Sequence, residues 1–267
     1  HENYAFFSST SSRMQAHFKD FAGLISDKYL KGAQDPFIVE IGSNDGILLK
    51  HFAGKNRRHL GIEPSANVAQ KAREIGINTW SEFFNEDLAE KILKEYGPAD
   101  AFLGANVMCH IPYPHSVFGG VRRLLKPKGV FVFEDPYLGD LIEKVSYDQI
   151  YDEHIFYFSV ASVSYLADKN GLEVFDIKPQ ETHGGSMRYF IARKGAYPVA
   201  EAVRLQEEKE KKMGLDRPEV FSDFARKVAR SRDELIALLK KLKGEGKRIV
   251  GYGATSKSTT VTNYCGI

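Results

Sequence analysis

Cysteine is scarce in this sequence of 267 residues, where only Cys109 and Cys265 occur. Two cysteines cannot build a disulfide framework, and their separation does not match the paired spacing of zinc ligands. We therefore predict a reduced, cytoplasmic setting and no metal ligand set in this chain.

Long apolar runs are also missing, since no stretch approaches the ~20 residues that a membrane-spanning helix requires. Charge of one sign does not dominate either, because 37 basic and 35 acidic residues leave a net charge of +2. Without a basic stripe on the chain, we expect neither a nucleic-acid nor a membrane partner. The start at His1 has neither a Met nor a signal-peptide pattern, so we expect residues upstream.

Apolar runs alternate with amphipathic stretches from about residue 36, a pattern typical of parallel strands joined by helices. Five strand–helix units and two closing strands, which could pair antiparallel, predict an α/β fold. This is the seven-stranded, doubly wound (Rossmann-like) layout of methyltransferases, not the six-stranded layout of dehydrogenases. The strands are predicted at Phe37–Ile41, Arg58–Ile62, Ile77–Trp80, Ala99–Val107, Gly129–Glu134, Leu172–Pro179 and Ser186–Arg193.

The segments around this sheet predict the domain organisation. We expect a helical lead-in over 1–35, the sheet domain over 36–195 and a helical linker over 196–245. Residues 246–267 then predict the start of a second α/β domain, because Arg248–Ala254 has the pattern of a strand entering a glycine turn. This segment is too short to close a core, so we expect the chain to continue.

A glycine loop follows the first predicted strand and opens a helix. Its residues, after Glu40 and Ile41, are Gly42, Ser43, Asn44, Asp45 and Gly46. Glycine lets the backbone pass close to a ligand, and N–H groups at a helix start bind polar groups. A dinucleotide loop would be G-x-G-x-x-G, whereas Asp45 would repel a diphosphate. The loop therefore favours a cationic nucleoside without phosphate, S-adenosylmethionine (SAM).

Further residues at the carboxyl edge of the sheet complete the predicted cofactor site. Glu63, at the end of the second strand, is placed to accept hydrogen bonds from both ribose hydroxyls. Pro64 follows it directly, and Phe84 and Asn106 come after the third and fourth strands. Phe84 could line the adenine end of SAM, and Asn106 could line its methionine end.

Acid–base residues cluster at the same edge. Tyr151, Glu153 and His154 lie in an insertion after the fifth strand, while His110 follows the fourth strand and His183 precedes the last one. A phenol, a carboxylate and an imidazole are suited to removing a proton beside a carbonyl and stabilising the enolate. We expect the neighbouring Glu153 to raise the pKa of His154 toward the working range.

Together these motifs resemble the SAM-dependent sugar C-methyltransferases of the C-3′ type, and the resemblance runs over essentially the whole chain. Members of this family act on nucleotide-linked 4-keto deoxysugars in antibiotic and surface-polysaccharide pathways. The motifs that carry the resemblance are Ser12–Phe18, Glu40–Gly46, Cys109–Pro112, Tyr151–Phe158, His183–Arg188 and Gly251–Ala254.

The resemblance implies that His154 is the base that removes the C-3 proton, with Tyr151 and Glu153 assisting and His110 near the keto oxygen. It implies a nucleotide-diphosphate sugar as the partner, and zinc only if a cysteine-rich N-terminal module exists. The expected substrate-binding residues are Tyr4, His183, Ser186, Arg188, Tyr252 and Lys257. We expect a monomer or a weak dimer.

Two other functions remain open at this point. One is a SAM-dependent O- or N-methyltransferase that acts on a small molecule or a sugar. The other is a non-catalytic SAM-binding scaffold, which would have no need for Tyr151, Glu153 and His154. The sequence does not identify the sugar, the nucleotide or the methylated atom.

Overall fold

The computed structural model describes residues 4–253 and 255–267. Its strands are β1 (Phe37–Ile41), β2 (Arg58–Ile62), β3 (Thr79–Trp80), β4 (Ala99–Ala105), β5 (Leu125–Pro136), β6 (Leu172–Gln180) and β7 (Ser186–Arg193). They form one seven-stranded sheet in the order β3-β2-β1-β4-β5-β7-β6. Strand β7 runs antiparallel to β5 and β6, and the other neighbours are parallel. The predicted Rossmann-like α/β fold is confirmed.

The predicted strand bounds agree for β1, β2 and β7 and differ most at β5. Strand β5 begins earlier than predicted because Leu125 already pairs with Ala99, across a register shift in β4. Strand β4 ends at Ala105 because Asn106 has a left-handed backbone with φ of 52°. Such a residue interrupts an extended strand.

Ten helices accompany the strands in the described residues. They are α1 (Ser12–Lys28), α2 (Lys50–Ala53), α3 (Ala66–Glu74), α4 (Glu86–Tyr96), α5 (Pro114–Leu124), α6 (Leu138–Lys144), α7 (Val160–Lys169), α8 (Glu201–Met213), α9 (Pro218–Gly244) and α10 (Ser256–Cys265). Side-chain caps account for several starts, such as Ser11 before α1 and Asn85 before α4, each accepting a backbone N–H.

Both faces of the sheet are covered, so the strands read as continuous apolar runs. On one face, Phe37, Val39 and Ile41 of β1 pack with side chains of α4, α5 and α7. On the other face, Ile38 packs with side chains of α1 and α2. Two layers of helices around a central sheet leave the carboxyl ends of the parallel strands at one edge, where ligands bind in such folds.

The insertion between β5 and α7 is anchored at both of its ends. Tyr137 and Phe158 form a parallel bridge, and the Leu138 N–H donates to the Phe158 carbonyl at 2.9 Å. Helix α8 holds the same place, because buried Glu210 accepts hydrogen bonds from the Tyr137 hydroxyl and the Val160 N–H. The predicted linker therefore packs on the sheet domain.

The predicted strand at Arg248–Ala254 is not present, since residues 247–253 form neither a strand nor a helix and Ala254 lies outside the described residues. A strand needs a neighbour to pair with, and both edges of the sheet, β3 and β6, lie elsewhere. The predicted glycine turn instead precedes α10, whose N-cap is Thr255. None of the helices in the described residues is long and apolar enough to cross a membrane.

Candidate active site

The glycine loop has the backbone that the sequence predicts. Gly42 and Gly46 have φ of 60° and 81°, in the left-handed region that favours glycine. A Cβ on Gly42 would lie 2.6 Å from Val107, and one on Gly46 would lie 2.8 Å from Ile77. Both positions therefore exclude side chains, and they hold the loop close to the ends of β1 and β4.

Three carboxylates surround this loop and are buried. Glu40, Asp45 and Glu63 have exposed fractions of 2%, 4% and 6%. Glu63 accepts hydrogen bonds from the backbone N–H groups of Asn44 and Ser65, at 3.0 and 2.9 Å. Burial raises the pKa of Glu63, and burial together with the charges of Glu63 and Asp45 raises the pKa of Glu40 well above its usual value.

Several acceptors of this cluster have no hydrogen-bond partner among the described residues. They are the Glu40 Oε2, Ser43 Oγ, Asp45 Oδ1 and Asn106 Oδ1 atoms. Buried polar atoms without a partner are costly, so such a group of acceptors fits a ligand that brings hydroxyl and ammonium donors. The ribose hydroxyls and the amino group of SAM are donors of this kind. Pro64 lies between Glu63 and Ser65 and is half-buried.

Residues 4–10, which we call the strap, lie on the same loop. Asn44 accepts from the Ser8 N–H at 3.1 Å and donates to the Phe6 carbonyl at 3.0 Å. Asp45 Oδ2 accepts from both the N–H and the hydroxyl of Ser9, at 3.0 and 2.6 Å. These contacts could not be predicted from the sequence. The strap thus bonds Asn44 and one carboxylate oxygen of Asp45, two residues that we predicted to bind the cofactor.

His154 lies in the insertion with both ring nitrogens occupied. Its Nδ1 is 3.0 Å from the Gln149 carbonyl, which can only accept, so Nδ1 carries the proton in the neutral ring. Its Nε2 therefore accepts from the Tyr151 hydroxyl at 2.8 Å. The predicted orienting role of Glu153 is wrong, because Glu153 is exposed and the Gln149 carbonyl holds the ring instead.

The pKa of His154 is lowered to about 4, by burial first and then by the nearby His110, Lys257 and His183. The expectation of a raised pKa is thus wrong as well. Burial also raises the pKa of Tyr151, with the charges of Cys109 and Glu153 adding to the effect. At neutral pH the pair therefore consists of a neutral imidazole and a neutral phenol.

His110 faces this pair from the loop after β4. Its ring centroid lies 5.1 Å from that of His154, and burial lowers its pKa. Asp135, at the end of β5, fixes the loop by accepting from the Cys109 N–H at 3.1 Å. The Cys109 carbonyl in turn accepts from the N–H groups of Ile155 and Phe156, which follow His154. One short turn thus sets the position of both histidines.

A possible metal ligand set arises here that sequence spacing does not reveal. Ligand atoms of Cys109, His110 and His154 lie within 4.8 Å of one another. Our prediction of no ligand set rested on spacing along the chain, whereas this grouping joins two loops of the fold. A sulfur and two imidazole nitrogens are ligands that zinc accepts.

The other predicted substrate-binding residues divide into two groups. Lys257 on α10 lies with its Nζ atom 3.4 Å from the Nδ1 atom of His183, near His154. Tyr4 is half-buried, and burial followed by the charges of Glu153 and Glu63 raises its pKa. These three residues therefore meet the acid–base cluster. Burial first, followed by the charge of Lys257, lowers the pKa of His183 to about 4.

Four predicted site residues lie away from an open cleft. Arg188 is buried and pairs with Glu134 at 2.6 Å, so its charge is already used. The Ser186 hydroxyl donates to the Thr182 carbonyl at 3.0 Å. Phe84 packs in the core, 4.7 Å from Phe102 between ring centroids, and does not line a nucleoside site. Tyr252 is fully exposed in the segment that lacks a strand.

Sequence reasoning missed several residues that shape the site. Gln149 and Asp135 hold His154 and the Cys109 turn, and Asn67 exchanges two hydrogen bonds with the backbone of Tyr4. His17 hydrogen bonds Oε1 of Glu134, whereas Arg188 bonds Oε2 of the same carboxylate. His17 and Arg188 lie in motifs noted above, and Asp135 follows a predicted strand, whereas Gln149 and Asn67 carry no sequence signal.

Comparison with known families agrees with this geometry. Residues 13–177 match the family described as methyltransferase domain, and residues 181–267 match the C-methyltransferase C-terminal domain. The C-methyltransferase NovU of Streptomyces niveus is 32% identical over 99% of this chain. The chain spans 63% of the length of that relative.

Solved structures share the fold. The PH0226 protein of Pyrococcus horikoshii OT3 aligns over 71% of this chain and 95% of its own, with 18% identity and a TM-score of 0.56. The magnesium protoporphyrin IX methyltransferase of Synechocystis PCC 6803, solved with bound SAH, aligns over 73% and 90%, with 12% identity and a TM-score of 0.51. At such identities the similarity concerns the fold alone.

Proposed function

We propose, on the premise that this chain belongs to the SAM-dependent methyltransferases, that it acts as a C-methyltransferase. The proposed reaction is methylation of the carbon next to the keto group, C-3′, of a nucleotide-linked keto-deoxysugar. One observation carries it: a neutral imidazole, His154, has its Nε2 lone pair directed to a phenol at the edge of the cofactor site. Methyl transfer to oxygen or nitrogen needs a single base, which is fewer acid–base groups than this site contains.

The residues around the glycine loop fit SAM. Glu63 would accept from the ribose hydroxyls, and Glu40, Ser43, Asp45 and Asn106 offer acceptors without partners. Carboxylates also suit a sulfonium cation, which would be repelled by a basic site. When bound, SAM supplies an electrophilic methyl group. The methyltransferase family model that matches residues 13–177 also supports SAM as the cofactor.

His154 would act as the base. In the neutral ring, Nδ1–H is held by the Gln149 carbonyl, so Nε2 is the nitrogen that receives a proton. The Tyr151 hydroxyl, which bonds Nε2 in the resting site, would turn to the keto oxygen and so free the Nε2 lone pair. The proton on the carbon beside the keto group would then pass to Nε2, and the C–H electron pair would form the enolate. Tyr151 and His110 would donate hydrogen bonds to the developing enolate oxygen.

The enolate carbon would then take up the methyl group that bound SAM would supply, with SAH as the leaving group. The keto group would be restored, and the proton on His154 would return to solvent. Glu153 is exposed at the edge of the cluster, where its charge would favour imidazolium formation. Tyr4, whose pKa is raised by burial and then by the charges of Glu153 and Glu63, would contact the acceptor.

The proposed acceptor carries a nucleoside diphosphate. Lys257, on the first turn of α10, supplies a cation beside His183 for that group. The position of α10 supports this placement, since the Thr260 hydroxyl donates to the Ile150 carbonyl at 3.3 Å. The nucleotide would then extend along α10, away from the sheet.

Product analysis tests this proposal. The protein is incubated with SAM and nucleotide-linked 4-keto deoxysugars, and the product is examined by NMR for a methyl group bonded to carbon. We expect methylation at C-3′ in the native protein and a rate at least ~100-fold lower in His154→Gln, the scale of a lost general base. A methyl group on oxygen or nitrogen, or full activity of His154→Gln, would contradict the proposal.

A further inference from the structure

The strap is tied to the predicted cofactor site at two separate points. At one end, Asn67 on α3 accepts from the Tyr4 N–H at 2.9 Å and donates to the Tyr4 carbonyl at 2.8 Å. At the other end, Asn44 and Asp45 bond Phe6, Ser8 and Ser9. The strap therefore crosses from the end of β2 to the glycine loop after β1, over the space where the two strands open.

The carboxylates and the serine of the loop that the strap bonds are buried, yet some of their oxygen atoms have no hydrogen-bond partner in the described residues. Glu40, Asp45 and Glu63 are each less than a tenth exposed. Yet Glu40 Oε2, Ser43 Oγ and Asp45 Oδ1 have no partner in the described parts of the chain. The strap thus hydrogen bonds the same loop that carries these unpartnered acceptors.

The chain next to the strap is fixed. Ser11 caps α1, and His17 on that helix hydrogen bonds buried Glu134, which also pairs with Arg188. The Arg188 guanidinium lies 3.8 Å from the ring centroid of Phe21 in α1. Because α1 is held in this way, residues 4–10 can swing about Ser11 while the helix stays in place.

We propose that the strap is a gate for SAM and its product SAH, and that Asn44, Asp45 and Asn67 are positioning residues that hold it shut. The inference rests on the SAM site of the proposed function and is independent of the acceptor. Closure also fixes the backbone of Tyr4 through its two hydrogen bonds with Asn67. The side chain of Asp45 thus serves the gate through Oδ2 and leaves Oδ1 for the ligand.

A gate has a kinetic signature that differs from that of a ligand contact. If the ligand enters and leaves only through the open strap, loosening the strap raises the association and dissociation rate constants together. The equilibrium dissociation constant then changes little. Loss of a direct contact with the cofactor would raise the dissociation rate constant alone.

Stopped-flow fluorescence with SAH measures both rate constants. The chain has one Trp, and the carbonyl of that residue, Trp80, accepts from the Glu63 N–H at 2.9 Å, so the reporter adjoins the site. Ser9→Ala removes one hydrogen bond to Asp45, and Asn67→Ala removes both bonds to Tyr4. The matched controls are Ser12→Ala, an exposed serine on α1, and Gln70→Ala, an exposed residue on α3.

We expect Ser9→Ala and Asn67→Ala to raise both rate constants severalfold, with the dissociation constant within about twofold of the native value. The two controls should match the native protein, and circular dichroism should show all variants folded. Unchanged rate constants, or a rise in the dissociation rate constant alone, would overturn the gate. If the native protein bound no SAH, the proposed function itself would fail, which is a different result.

Discussion

At the scale of single residues, the site depends on neutral groups more than on charged ones. His154 owes its low pKa to burial, and its tautomer to one backbone carbonyl, that of Gln149. A base that is neutral over the physiological range needs no proton release before it acts. The same burial keeps Tyr151 protonated, so the phenol can donate.

This predicts the acid limb of the pH profile. With a pKa of about 4, His154 stays neutral as the pH falls through 6.5, the usual value for an imidazole. We expect kcat/KM to hold down to about pH 5 and to fall only as the pH approaches 4. Initial rates at saturating SAM between pH 4 and 8 measure this. A half-loss of activity near pH 6.5 would show that His154 titrates normally.

Asp135 gives a prediction for stability. Burial raises its pKa to about 8, so the folded state binds a proton that the unfolded chain releases near pH 4. Between these values the folded state holds more protons, and the contribution of Asp135 to stability falls as the pH rises. Asp135→Asn removes this dependence while keeping an acceptor for the Cys109 N–H.

We therefore expect Asp135→Asn to match the native melting temperature near pH 4 and to exceed it near pH 9. Thermal unfolding followed by circular dichroism measures the difference, with Asp152→Asn, an exposed aspartate, as the control. Equal melting temperatures of the variant and the native protein at both pH values would contradict a buried, protonated Asp135.

Residue roles were predictable only where they followed from type and strand order. Gly42, Gly46 and Glu63 lie where the sequence places them, because a strand end fixes which residues face the ligand edge. Glu153 was wrongly assigned as the partner of His154, since neighbours along the chain need not be neighbours in a turn. The prediction that Arg188 binds substrate overlooked its ion pair with Glu134, because the two residues are 54 positions apart in the sequence.

At the scale of elements, the insertion that carries His154 is held by a helix from the predicted linker. Glu210 of α8 accepts from the N–H groups of Val160 and Ala161 at the start of α7, at 2.7 and 2.9 Å. It also accepts from the Tyr137 hydroxyl at 2.9 Å. Its carboxylate thus serves as the cap of α7 and as the clamp on the insertion.

We expect Glu210→Ala to lower the free energy of unfolding by about 3 kcal/mol, because it leaves buried donors without an acceptor. Glu208→Ala, on the same helix, should change it by less than about 0.5 kcal/mol, since Glu208 is exposed and pairs with Arg204 alone. Urea denaturation at neutral pH measures both. Equal stability of the two variants would show that α8 does not clamp the insertion.

Elements were predicted best where burial is complete. Strands β1, β2 and β7 match their predicted bounds, and β1 is buried at every position. The start of β5 was missed because it depends on a register shift opposite Ala99. Residues 248–253 have a strand pattern, yet no sheet edge reaches them. Pattern identifies a segment that can be a strand, and pairing decides whether it is one.

At the scale of the whole molecule, three distant parts of the chain meet at one edge of the sheet. The strap comes from the N-terminal region, the acid–base insertion from the middle, and Lys257 from α10. Strand order could be predicted because crossovers follow general rules. The convergence of the three parts could not be predicted, because it depends on loops and on buried polar contacts such as the one between His17 and Glu134.

Because these three parts converge, we propose that the chain makes a carbon–carbon bond through an enolate formed at His154. A nucleotide-linked keto-deoxysugar deuterated at C-3′ tests this, with deuterium release followed alongside SAH formation. We expect one deuterium to be released for each methyl group transferred, and both to be lost in His154→Ala. Methyl transfer with the deuterium retained would contradict an enolate at His154.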